Sequence, residues 1–164
     1  MRLKIADLRL KIGIEDWIEG DCRDLGAARS LHRRLAMNAQ AEALRQRTKQ
    51  FALEIIAFVH TLPNNDTTDV VGRQVLRAAT GLGANYRAAC RARSRADFVS
   101  KIGIVLEEAD ESAFWLELIV EGRLSSSKVV YELLEEANQL SAIFAASRIT
   151  AAEALRHERQ RPSI

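Results

Sequence analysis

Five basic residues crowd a short stretch near the middle of this 164-residue chain, and their side chains could bind phosphates. Asp97 is the only acid within that stretch. Arginines at a helix end contact the backbone of a nucleic acid more readily than its base edges. The same pattern is also typical of a solvated helix end, and the sequence leaves both interpretations open. The residues predicted to bind nucleic acid are Arg87, Arg91, Arg93, Arg95 and Lys101.

An acidic stretch follows the basic one. Residues 73–101 contain seven bases and one acid, whereas residues 107–121 contain six acids and no base. Twelve residues separate Arg95 from Glu107, about 18 Å along a helix. That distance exceeds two Debye lengths at physiological salt, so these acids cannot neutralise the basic cluster. Because the net charge is only +2, any attraction to nucleic acid must come from this uneven distribution.

The spacing of histidines, cysteines and acidic residues gives little support for a metal site or for catalysis. None of the three histidines follows a glutamate by three residues, as the ligands of di-metal bundle proteins do. Cys22 and Cys90 have neither zinc nor redox spacing and predict free thiols. The acids of residues 107–121 are typical of a charged outer helix face. We therefore expect no catalytic residue, no metal and no cofactor; an unrecognised enzyme is the weaker alternative.

Two long helices and one tight turn must position the basic residues. The helix after the turn has an apolar seam with alternating spacings of four and three residues, which indicates packing along a bundle. Ser94 and Asp97 predict a capping box at its start, and Gly122 a left-handed end. Folding the chain about Ser94 brings Arg77 opposite Glu111. The seam is Phe98, Ile102, Val105, Ala109, Ser112, Leu116 and Ile119.

The whole pattern predicts an all-α protein, an antiparallel up-down-up-down four-helix bundle over residues 38–148. Asp66, Thr67 or Thr68 can cap the second helix. Residues 1–37 form a poorly patterned extension that begins with a strand-like alternation, and residues 149–164 form a charged, frayed tail. No apolar run is long enough to span a bilayer, so we expect a cytoplasmic protein without a membrane partner.

Several motifs in the middle of the chain resemble a known family, the four-helix bundle proteins of the 23S ribosomal RNA intervening sequence. The likeness covers roughly residues 45–124. The chain departs from the family pattern beside Asn85, where many members have a proline before the asparagine and Ala-Glu-Gly after it. The motifs are Arg77-Ala-Ala79, Gly83-Ala-Asn-Tyr-Arg87, Arg91-Ala-Arg-Ser-Arg-Ala-Asp-Phe98 and Leu106-Glu-Glu-Ala-Asp-Glu-Ser112.

This resemblance implies a ring-like homopentamer without an established enzymatic activity. The chain is also similar to accessory variability proteins of diversity-generating retroelements, which implies binding to nucleic acid and to a reverse transcriptase through basic surfaces. We therefore expect a homo-oligomeric scaffold for RNA or a ribonucleoprotein, with DNA also open as the nucleic acid. The alternative is an accessory subunit whose basic end docks an acidic protein such as a reverse transcriptase.

Overall fold

A computed structural model describes the backbone of residues 27–160 and the side chains of residues 39–160. Over that range the chain forms helices and no strand, which confirms the predicted all-α fold. The strand-like alternation at the amino terminus lies outside the described residues. The helices are α1 (Ala27–Val59), α2 (Asp66–Ala89), α3 (Arg95–Glu121) and α4 (Lys128–Gln160).

Each helix packs against the next one along the chain, and α1 also packs against α4. Connections of only five or six residues force consecutive helices to run antiparallel. The predicted four-helix bundle is therefore confirmed. None of the helices within residues 27–160 is long and apolar enough to cross a lipid bilayer.

The bundle core contains the apolar seam predicted for α3. In α3 every seam residue from Ile102 to Ile119 is buried, and Phe98 packs at the edge of the core. Tyr86 and Phe144 meet inside the bundle, with ring centroids 5.2 Å apart and planes inclined at 50°. Gly83 lies where α1 and α2 approach closely, since a Cβ there would stand 3.5 Å from the Thr48 carbonyl oxygen.

Two helix ends differ by one residue from the sequence prediction. Asn65, not Asp66 or a threonine, caps α2, because its side-chain oxygen accepts from the amides of Thr67 and Thr68 at 3.1 Å. Asparagine is among the best capping residues. At the end of α3, Gly122 keeps a right-handed conformation and Arg123 takes the left-handed one, with φ of 53°.

The first and last helices, α1 and α4, are longer than the spacing of their apolar residues predicts. α1 begins at Ala27, inside the stretch predicted as a poorly patterned extension. Residues 27–36 are rich in alanine, leucine and arginine, which favour a helix without any amphipathic period. α4 continues through the predicted tail to Gln160, and Ala151 is only 1% exposed. The division of the chain at residues 37 and 148 stays a prediction.

The contact between Phe144 and Tyr86 yields a stability prediction. Phe144 is fully buried, so Phe144→Ala removes a large apolar side chain and leaves a cavity. We expect the free energy of unfolding to fall by about 3–5 kcal/mol in urea denaturation. Tyr131→Ala is the control, because Tyr131 is 53% exposed on the same helix and should change stability by less than about 0.5 kcal/mol. Equal losses in both variants would contradict this account of the core.

Candidate nucleic-acid interface

The turn between α2 and α3 is fixed by reciprocal hydrogen bonds. The Ser94 hydroxyl oxygen accepts from the Asp97 amide at 3.1 Å, and the Asp97 carboxylate accepts from the Arg93 amide at 2.9 Å. The first bond satisfies an amide in the first turn of α3, and the second satisfies an amide just before the helix. The predicted hydroxyl cap at Ser94 is thus confirmed, whereas the Asp97 carboxylate bonds the amide of Arg93 and not that of Ser94, as a capping box would require.

Two of the five predicted cations are held in ion pairs at this turn. Lys101 pairs with Asp97 one helical turn earlier, and its hydrogen bond is the main reason that the pKa of Asp97 is lowered. Arg95 pairs with Glu158 of α4 across 2.7 Å. The Arg95 side chain is only 14% exposed, whereas that of Glu158 is 57% exposed. The charge of both cations is therefore partly compensated within the chain.

The other three predicted residues, Arg87, Arg91 and Arg93, are exposed. Among the side chains described, residues 39–160, none of the three forms an ion pair. Arg87 lies close enough to α1 to act on Glu42, whose pKa is lowered chiefly by its contacts with Gln46 and Arg45 and less strongly by Arg87. We call Arg87, Arg91 and Arg93 the arginine cluster.

Tyr86 and Cys90 lie beside the arginine cluster. Tyr86 is buried, and desolvation raises its pKa well above the usual value. Burial of the sulfur raises the pKa of the Cys90 thiol, although the residue as a whole is exposed and forms no disulfide. A thiol with a raised pKa is a poor nucleophile at neutral pH. The raised pKa values favour the neutral forms of both groups.

Two acids of α3, Glu108 and Glu111, form contacts with α2. Arg77 and Glu111 pair at 3.0 Å, as their positions relative to Ser94 predict. The Asn85 amide donates to the Glu108 carboxylate at 3.3 Å. Gly81 leaves room for that carboxylate, because a Cβ there would stand 2.7 Å from it. Residues from the motifs that carry the family resemblance thus join α2 to α3.

Catalysis finds no further support in the described part of the chain. Within it, no three histidine, cysteine or acidic side chains come together in a way that could hold a metal ion. A groove between α1 and α4 contains Arg47, but this guanidinium is bonded to Glu136 at 2.6 and 2.8 Å and to Gln139 at 2.7 Å. These groups pair with one another instead of converging on an open site.

The outer face of α3 exposes large apolar side chains. Ile104, Phe114 and Leu118 are 44%, 50% and 37% exposed, and all three lie outside the apolar seam of this helix. Phe114 and Leu118 are four residues apart, and Ile104 lies fourteen residues before Leu118, so the three share one side of the helix. Phe114 packs edge-on against Trp115, with ring centroids 5.2 Å apart. We call Ile104, Phe114 and Leu118 the apolar face of α3.

Comparison with known proteins identifies the family. The family of 23S rRNA-intervening sequence proteins matches residues 42–146, well over half of the chain. The chain belongs to this family. No curated protein matches it. A crystal structure from the S23 ribosomal protein family of Bacteroides thetaiotaomicron, of a protein with unknown function, shares 29% sequence identity and a TM-score of 0.59. That alignment covers 65% of this chain and 95% of the other.

The match with the intervening sequence family ends at residue 146, before α4 does. Beyond it the helix carries further exposed cations that the sequence analysis does not assign to a site, since one ends the predicted bundle and two lie in the predicted tail. The buried Ala151 was the available signal, since it continues the apolar period of α4 one turn after Ser147. The missed cations are Arg148, Arg156 and Arg159.

The environment of Glu108 yields a pH prediction for this family member. Partial burial raises the pKa of Glu108, the neighbouring Glu111 adds to the effect, and Arg77 opposes it. A raised folded-state pKa means that protonation favours the fold. Protonation of Glu108 contributes its full stabilisation when the pH is below the pKa of an ordinary glutamate. This contribution to the free energy of unfolding is lost as the pH rises through the pKa of Glu108 in the folded protein.

Glu108→Gln keeps an oxygen that can accept from Asn85 and removes the charge. We expect it to raise the free energy of unfolding by about a few tenths of a kcal/mol at about pH 8, because water screens a partly exposed group. The gain should vanish at about pH 4, where the wild-type carboxyl is largely protonated. Denaturation at both pH values measures this, and Glu117→Gln on the exposed side of α3 is the control. A gain that does not change with pH would contradict the assignment.

Proposed function

We propose that this protein is a non-enzymatic, homo-oligomeric scaffold that binds RNA, or a ribonucleoprotein, through the arginine cluster. The observation that carries the proposal is the exposure of Arg87, Arg91 and Arg93 without an ion pair among the described side chains. Their backbone lies on the end of α2 and on a turn that is fixed by its capping bonds. A rigid support lowers the entropy lost when the cations bind a ligand.

The chemistry of guanidinium groups favours phosphates as the ligand. Arginine donates paired hydrogen bonds that match the oxygens of a phosphate and remains charged at every physiological pH. The three arginines lie at or just beyond the end of α2 and are exposed, and arginines at a helix end reach the nucleic-acid backbone more readily than base edges. Binding should therefore depend on the phosphate backbone more than on sequence.

The choice of RNA is supported by the family. Its description names the intervening sequence of 23S ribosomal RNA, and this chain matches it over residues 42–146. The same cations would also fit DNA or an acidic protein surface, such as one on a reverse transcriptase. These two ligands are the alternatives that the binding experiment must separate.

Assembly would multiply the arginine cluster. Exposed apolar patches on a folded chain usually mark an interface, and the apolar face of α3 lies on the outside of the bundle. We propose that it is buried in a closed homo-oligomer, for which the family resemblance implies five subunits. Several copies of a moderate phosphate site then bind one long polyanion with useful avidity, provided that the polyanion reaches more than one copy.

The proposed interface predicts a change of mass. Phe114→Glu with Leu118→Glu introduces two charges into the apolar face of α3, so we expect the oligomer to dissociate while the chain stays helical. Light scattering should give a multiple of the 18.3 kDa chain mass for wild type and a single chain mass for the variant. Tyr131→Glu with Ile149→Glu adds equal charge at exposed positions on α4 and should leave the mass unchanged. A monomeric wild type at micromolar concentration would contradict the proposal.

The arginine cluster predicts a salt-dependent affinity for RNA. Replacing Arg87, Arg91 and Arg93 by glutamine should weaken binding of a single-stranded RNA by about tenfold or more. It should also reduce the log–log salt slope by about 2, since each neutralised phosphate contributes about 0.7. Fluorescence anisotropy from low to physiological salt measures both quantities, and circular dichroism confirms that the variant is folded.

A matched control removes the same charge elsewhere. Arg73, Lys128 and Arg123 lie away from the turn, so their replacement by glutamine should have little effect. Equal losses in both triple variants would mean that net charge, not the cluster, determines affinity. If wild type binds no RNA at low salt but binds polyglutamate through the cluster, the acidic protein partner replaces RNA in the proposal. Tighter binding to DNA of the same sequence would identify DNA as the ligand.

A further inference from the structure

The last part of α4, residues 147–160, packs onto the bundle although it lies outside the family match. Ser147 and Ala151 are buried, and Leu155 is half-buried. Their spacing of four residues continues the inward face of the helix. We call residues 147–160 the terminal segment. It is therefore a part of the bundle surface and lies at the end where α3 begins.

An ion pair joins the terminal segment to the basic turn. The Arg95 guanidinium donates to the Glu158 carboxylate at 2.7 Å, although 63 residues separate the two along the chain. Because Arg95 is the first residue of α3, this contact places the end of α4 directly beside the turn. Arg93 and the cations next to Glu158 are thereby brought to one end of the molecule.

Further cations of the terminal segment lie along the border of α3. The Nε atom of Arg148 would stand 3.6 Å from a Cβ at Gly103, so Arg148 lies against α3. Arg159 follows eleven residues later, close to three helical turns, and projects to the same side. Arg148, Arg156 and Arg159 are exposed and form no ion pair with any side chain of residues 39–160.

The acids of the terminal segment do not cancel these charges. Glu153 lies five residues after Arg148, about 140° further around the helix, and so faces away from α3. Glu158 is occupied by Arg95. The α3 side of the terminal segment therefore presents two positive charges, Arg148 and Arg159, about 16 Å apart along the helix in the direction of the turn.

We propose that the terminal segment and the arginine cluster together form the RNA-binding surface of this protein. In this arrangement the phosphate backbone contacts the arginine cluster and continues along Arg148 and Arg159, and Glu158 limits affinity because it compensates the charge of Arg95. The inference rests on the proposed function and adds to it a set of binding residues and an acid that opposes binding. The ligand class is a single-stranded polyanion long enough to cross from the turn to α4.

Two variants of the full chain test the proposal by anisotropy with the same single-stranded RNA. Arg148→Gln with Arg159→Gln should weaken binding by about three- to tenfold and reduce the salt slope by about 1.4, which corresponds to two phosphates. Glu158→Gln should strengthen binding by about two- to fivefold, the range of a single surface charge. Both effects come from residues that the arginine cluster does not include.

Matched controls alter the same charge at the opposite end of the bundle. Arg123→Gln with Lys128→Gln removes two cations from the connection between α3 and α4, and Glu121→Gln removes one acid at the end of α3. Neither control should change affinity by as much as its counterpart. Circular dichroism and mass measurements check that every variant keeps the fold and the assembly of wild type.

The outcomes separate this inference from the proposed function. If the Arg148 and Arg159 variant binds like wild type while the arginine cluster variant loses affinity, the terminal segment lies outside the surface and the inference is wrong. If Glu158→Gln weakens binding, Glu158 positions Arg95 and does not oppose binding. If wild type binds no RNA even at low salt, the inference fails together with the proposed function.

Discussion

The bonds between Ser94, Asp97 and the Arg93 amide determine where the chain reverses, and the rest of the hairpin depends on that point. Once the reversal is set, the antiparallel register of α2 and α3 follows, because each residue on one helix then has a fixed opposite on the other. Arg77 meets Glu111 in this register, and the Glu108 carboxylate fills the space beside Gly81. A shift of one residue would turn the apolar seam of α3 by about 100° and expose it to water. The turn is therefore both the structural reference of the bundle and the support of the arginine cluster.

Most of the fold could be predicted because its determinants are local. Apolar residues at spacings of three and four specify which face of each helix is buried, and short polar connections specify antiparallel neighbours. Helix ends were less predictable, since several adjacent residues can cap and only the backbone geometry decides among them. Asn65 and Arg123 illustrate this, each one residue from the predicted position. The start of α1 and the end of α4 are alanine-rich, and this composition favours a helix. Such segments are missed when helices are identified only from the spacing of apolar residues.

The candidate site was only partly predictable, for a different physical reason. The sequence places all five cations on or beside one turn but does not show which of them form ion pairs with distant parts of the chain. Lys101 pairs with Asp97 four residues earlier in the same helix, and this spacing can be recognised in the sequence. Arg95 has its partner 63 residues away on α4, and only the packing of α4 against α3 reveals it. Among the five predicted cations, Arg87, Arg91 and Arg93 are therefore the exposed ones that form no ion pair with a described side chain, and the end of α4 lies beside them.

Charge is distributed unevenly along the bundle, and this has a consequence for assembly. The arginine cluster lies at one end, whereas Glu117, Glu121 and Glu132 lie toward the other. If subunits assemble side by side in the same orientation, as a closed ring requires, their basic ends approach one another and repel. The repulsion opposes the gain from burying the apolar face of α3 and falls as salt rises. A polyanion that bridges neighbouring clusters removes it. Binding and assembly would then be linked, so that each raises the apparent affinity of the other by the same factor.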